Sequence, residues 1–164
     1  MAISPSKERI RAKAVAFCQA FVDGLSPNII LSEYFTSEPR ITEHGPDNSE
    51  LPFLGKTFLG RKFDSSSNQT CDDYFIILTK SLEFEPSPTT FPSPKSFVVD
   101  ETCEINGKKG VVSVVGSANF RSLRTGKGWN EQFIYRLSEF DRDGKIGHWE
   151  IWADALSAWN AVHT

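Results

Sequence analysis

From Ser96 onward the chain is a succession of strand-like runs and tight turns, and little else can be built from it. SFVVDETCEI, GVVSVVGSANFRSL, WNEQFIYRLSEF and IGHWEIWAD are rich in β-branched and aromatic residues. The links NGKKG, RTGKG and DRDGK each combine glycine with short polar residues, the chemistry of hairpin turns. Four runs joined by short turns must lie antiparallel, so this half of the chain predicts a meandering sheet.

The first half has another period. Ser4-Pro5 reads as a helix start, and Ile10, Ala14, Phe17, Cys18, Phe21 and Leu25 recur at helical spacing up to Gly24. Ser26-Pro27 repeats the start signal for a short helix through Tyr34. PRITEH, residues 39–44, alternates and stops at Gly45-Pro46, as a short strand would. Residues 47–67 read as loop. Thr70 and Asp73 form a capping-box pair opening a third helix over 71–83, with Tyr74, Ile77, Leu78 and Leu82 on one side. Prolines 86, 88, 92 and 94 exclude regular structure there. The tail ALSAWNAV reads as a last helical turn or an extended cover. Helices followed by antiparallel strands predict an α+β fold with helices on one face of a curved sheet.

At 164 residues the expectation is one domain spanning 1–164. A net charge of −3 with no basic patch argues against nucleic acid. No apolar run reaches the roughly 18 residues of a membrane span. Charges interrupt MAISPSKERIRAKAVAF, so no signal-peptide core is visible. Cys18, Cys71 and Cys103 are odd in number and widely spaced, which predicts reduced thiols in a cytoplasmic protein and no zinc site. Without a secretory signal, the sequon at Asn68 is expected to stay unmodified. There is no phosphate cradle, GxSxG elbow or HExxH. His44, His148 and His163 are too scattered for a metal site, and Asp141 and Asp143 lack the other ligands of a calcium loop.

The last hairpin can be set in register. Asp141-Arg142-Asp143-Gly144 suits a type I turn with Gly144 left-handed, which places Leu137 opposite Trp149, Tyr135 opposite Ile151 and Arg136 opposite Glu150. A one-residue slip would set Asp154 against Glu131 and break the Arg136–Glu150 pair. The inner face of this strand is then Trp129, Glu131, Phe133, Tyr135 and Leu137. Glu131 on an aromatic stripe is a desolvated carboxyl suited to proton transfer, or it sits at a frayed strand end and meets solvent. On the preceding run Val112, Val114, Gly116, Ala118 and Phe120 form the more apolar face. The Thr-Gly turn leaves its register open, so Asn119 is a possible pocket residue.

The N-terminal helix pair, ITEHGP, LPFLGKTFLGRKF, DYFIILTKSL and WNEQFIYRLSEFDRDGKIGHWEIWADALSAW together resemble the SnoaL-like group of the nuclear-transport-factor-2-like superfamily, especially its fungal members. That resemblance covers most of the chain. It implies a cone-shaped barrel of three helices against a strongly curved, mainly antiparallel sheet, with a deep pocket and a homodimer through the sheet's outer face. It also implies cofactor-independent acid–base chemistry on a hydrophobic polycyclic or polyketide-derived secondary metabolite, as in cyclases and isomerases. Dehydratases, epoxide hydrolases and pure binding proteins share the fold.

On that footing His44 is expected in the pocket as the partner of Glu131, or else as a turn histidine bonded to backbone. Arg40, on the same strand face, would hold a carbonyl or enolate oxygen, or form a surface ion pair. Tyr135 would donate to a developing oxyanion, and Trp129, Phe133 and Trp149 would shape the walls for a flat substrate. The expected machinery is thus Glu131, His44, Tyr135 and Arg40, with no cofactor and no metal.

Overall fold

The computed structural model describes residues 3–163. Met1, Ala2 and Thr164, the ends of the expected 1–164 domain, lie outside the described residues. In chain order the elements are α1 Lys7–Val22, α2 Pro27–Tyr34, β1 Phe35–His44, β2 Thr57–Leu59, α3 Cys71–Ser81, β3 Leu82–Glu85, β4 Val98–Ile105, β5 Lys108–Ser122, β6 Gly128–Ser138, β7 Ile146–Trp152 and α4 Ala155–Val162.

The helix starts follow the capping chemistry, with one shift. Ser6, two residues past the expected start, accepts the Arg9 N–H and caps α1. Ser26 caps α2 with Pro27 in the first turn. Thr70 and Asp73 form the reciprocal capping box of α3. That helix stops at Ser81, so Leu82 opens β3 instead of closing the helix. The tail is a two-turn helix, capped by Asp154 through Ser157 N–H at 3.0 Å. Three N-terminal helices are joined by a fourth because ALSAWNAV can bury Ala158, Ala161 and Val162 together.

The sheet runs β2-β1-β7-β6-β5-β3, with β4 also paired to β5. All pairings are antiparallel except β1 with β7. It curls around the helices, but β2 and β3 remain unpaired edges, so the expected barrel does not close. β1 is longer than the expected 39–44 strand. It begins at Phe35, straight after α2, because β7 lies beside it from Phe35 onward, with a register break before Arg40.

The last hairpin has the expected register. Tyr135 pairs Ile151, Leu137 pairs Trp149, and Arg136 Nη1 lies 3.2 Å from Glu150 Oε2. Asp141 Oδ1 accepts the backbone N–H groups of Asp143 and Lys145, both at 2.9 Å, and Gly144 takes φ +80°. The core is built on aromatic contacts that follow from this register: Trp149 lies edge-on to Phe17 at 5.1 Å and to Tyr135 at 5.0 Å. Residues 47–67 are not all loop: they contain β2, which pairs with β1 because Phe58 is buried opposite Ile41, and they also bury Leu51, Phe53 and Leu54. The proline-rich segment anchors to β5 by Ser117 N–H to Thr90 O at 2.8 Å and lays Phe91 against Phe133 and Tyr135.

Candidate active site

Between the helices and the concave sheet lies a cavity of about 550 Å³, a normal size for a small-molecule site. Its walls are aromatic and aliphatic, including Phe21, Phe75, Phe133, Tyr135 and Trp149. Exposed Leu25 and Leu123 stand at its rim. Against this surface stand two buried carboxyls, Glu43 and Glu131, each 7% exposed.

Glu131 lies on β6 where the hairpin register puts it. It is buried, which settles the choice between a desolvated group and a frayed end. Its Oε2 accepts the Trp129 indole N–H at 3.2 Å and the Asp154 backbone N–H at 3.1 Å. Burial pushes its pKa up to about 7, against the pull of those two donors. Phe133, Tyr135 and Trp149 line the cavity as expected. Burial holds the Tyr135 phenol well above its usual pKa, with no hydrogen bond contributing. It therefore presents a neutral O–H. Trp129 does not line the cavity. It is half-buried at the strand's start, stacked on Phe120 at 5.7 Å, and acts through its bond to Glu131.

Glu43 is outside the expected set. It lies on β1 with its carboxyl inside, accepting the Tyr74 hydroxyl at 2.7 Å. Burial pushes its pKa up to about 7; the Tyr74 bond opposes this, and the charge of Glu131 adds to it. The sequence does carry a signal for Glu43: Ile41 is the apolar residue of ITEH, and strand alternation puts Glu43 on the same side.

The same alternation turns His44 and Arg40 away. His44 sits on the outer face, bonded to Glu150 Oε1 at 3.0 Å and stacked on Trp152 at 4.2 Å. Arg40 forms an ion pair with Glu139 on that face. Neither reaches the cavity. Asn119 is also outside it: β5 pairs Ala118 with Glu131, so Asn119 points outward and accepts from Asn130 at 3.0 Å. The cavity brings together Glu131, Tyr135, Phe133 and Trp149 of the expected set, and it substitutes Glu43 with Tyr74 for His44 with Arg40.

Two carboxyls with midpoints near neutrality can each be protonated or ionised at pH 7. One can donate a proton while the other accepts one. Among the described residues no group of three or more His, Cys, Asp or Glu side chains is placed to hold a metal ion. Among the described residues no helix is long and apolar enough to cross a membrane.

Helices packed inside a curled sheet, around a cavity with acids on an apolar wall, define an α+β cone fold. Solved structures with the same architecture identify it as the NTF2-like fold. An NTF2-like protein from Burkholderia xenovorans is 16% identical, with TM-score 0.62 over 96% of this chain and 98% of its own. TerC co-crystallised with polyporic acid is 18% identical, with TM-score 0.62 over 95% and 99%. A Silicibacter protein provisionally named a polyketide cyclase is 10% identical, with TM-score 0.63 over 96% and 97%. No protein-family model matches the chain, and its sequence matches no curated protein.

Proposed function

We propose that the protein is a cofactor-independent acid–base isomerase or cyclase acting on a hydrophobic, polycyclic or polyketide-derived small molecule. The carrying observation is the pair of buried carboxyls, both with pKa about 7, on the wall of one aromatic cavity. Glu131 is the base, because two N–H donors stabilise its carboxylate. Glu43 is the acid. Protonated Glu43 gives its proton to the substrate, and Glu131 takes one from another position. The substrate leaves with its composition unchanged, and solvent resets both groups. Tyr135 hydrogen-bonds a substrate oxygen. The polyketide-cyclase name of one structural neighbour and the co-crystallisation of another with polyporic acid agree with a small-molecule substrate.

A gene deletion in the source organism tests this without a substrate in hand. One metabolite should accumulate and another of equal mass should disappear. The purified protein should convert the first to the second. Conversion should fall at least ~100-fold in Glu43→Gln and Glu131→Gln, the usual scale for general acid–base catalysis, and survive in His44→Ala. Metabolites differing by one water would replace this reading with a hydratase or dehydratase. Binding without conversion would make the protein a carrier.

The same reading includes a homodimer through the sheet's outer face. Supporting it is a row across that face, Val115, Ile134 and Trp152, which are 51%, 44% and 39% exposed and paired in register.

A further inference from the structure

The ionisable groups around the cavity are of one sign. They are Glu43 from β1, Glu83 from β3, Glu131 from β6 and Asp154 before α4, with the phenols Tyr74 and Tyr135. Among the described residues no lysine, arginine or histidine lines it. Glu83 is matched from outside by Arg121 at 3.6 Å, and Asp154 is engaged in capping α4. Glu43 and Glu131 have hydrogen-bond donors but no cationic partner. Ionising either one leaves a buried carboxylate whose countercharge the protein does not supply. The remaining wall is mostly aromatic and aliphatic and carries no positive charge; aromatic rings can attract a cation.

We infer that the cavity is built to hold positive charge, and that its substrate class is an apolar polycycle bearing a basic nitrogen, bound as the ammonium. This rests on the small-molecule reading above and narrows it. The ammonium completes the ion pair that Glu131 lacks and its rings lie on the aromatic wall, while Glu43 keeps the proton it donates. A carboxylate or phosphate of the same size meets carboxyls of like sign and no cationic partner. Binding a cation also drives the proton off Glu131. At pH 7 each complex therefore releases a fraction of a proton to the buffer.

Three tricyclic probes of one skeleton test this: aminomethyl-, hydroxymethyl- and carboxy-phenanthrene, titrated calorimetrically into the full chain at pH 6 and pH 8. The amine should bind about ten-fold more tightly at pH 8 than at pH 6, the change expected when a carboxyl near 7 must ionise to receive it. Its heat at pH 7 should vary with the buffer's ionisation enthalpy. The alcohol should be indifferent to pH. The acid should bind at least about ten-fold more weakly than the alcohol at pH 8. Glu131→Gln should flatten the amine's pH dependence, with circular dichroism showing that the variant folds. An amine that binds no better than the alcohol at pH 8, or an acid that equals the alcohol, overturns the inference while the apolar site stands. Failure of all three to bind overturns the small-molecule reading and this inference with it.

Discussion

The Tyr74 hydroxyl donates to Glu43 Oε2 at 2.7 Å, joining α3 to β1 inside the core. A phenol whose own pKa is held far above its usual range by burial stays a donor at every working pH. Its partner carboxyl is thus stabilised in the ionised form, yet burial still holds its midpoint at about 7.

Tyr74→Phe removes that donor and nothing else of size. The Glu43 midpoint should move upward from about 7, and folding should weaken by about 1 kcal/mol, the net worth of one hydrogen bond. Carbon-detected NMR titration of the glutamate carboxyls reads the first and denaturant melts the second. A midpoint that stays put or falls would remove Tyr74 from any role in setting Glu43.

The two carboxyls make stability depend on pH in an unusual direction. Each has a folded pKa of about 7 against an ordinary 4.5, so between those values the folded chain holds protons that the unfolded chain has released. Their contribution is fully present below pH 4.5, is lost as pH rises to 7, and is of order 3 kcal/mol per group. Asp73 and Asp154 are shifted downward and act oppositely at lower pH. The clean measurement is therefore a difference between wild type and Glu43→Gln/Glu131→Gln. The stability advantage of the double variant should be largest at pH 8 and should shrink or reverse by pH 5. A difference that does not vary with pH would mean that these carboxyls titrate as ordinary ones.

Gly116 has a packing reason. A Cβ there would overlap the Phe133 ring and press on Phe91. Gly116→Ala should destabilise by about 1–3 kcal/mol and move Phe133 within the cavity wall. Adding Phe133→Leu should recover part of the loss. Thermal melts and near-ultraviolet circular dichroism follow both effects. An alanine variant as stable as wild type would show that the wall has slack at this point.

On the outer face, Ile134→Asp places a charge between Val115 and Trp152 in the exposed row. Sedimentation should show a dimer for the wild type and a monomer for the variant, with probe binding in the cavity retained. A wild type that is monomeric at micromolar concentration would refute the dimer.

His44 and Glu43 mark how far the site is legible in the sequence. Choosing the histidine for its chemistry selects the wrong face, because strand alternation already sets Glu43 beside Ile41. What alternation alone does not give is which face of β1 turns inward. That depends on β7 pairing alongside it in parallel, through contacts about a hundred residues apart in sequence. Asn119 is a similar case: its strand's alternation is legible, but the pairing of Ala118 with Glu131 is not.

The sequence by itself determined the helix caps at Ser26 and Thr70, the Asp141–Gly144 turn, and through that turn the hairpin register that carries Glu131, Phe133 and Tyr135 inward. These are local effects, decided by side chains bonding backbone within a few residues and by a period-two pattern that a turn locks in place. Only the tertiary structure decided that Glu43 meets Tyr74, that His44 and Arg40 face away, that residues 57–59 join the sheet as β2, and that Phe91 packs on Phe133 and Tyr135. Those outcomes depend on how distant strands pack and on which carboxyls the closed core deprives of water. No local pattern contains that information.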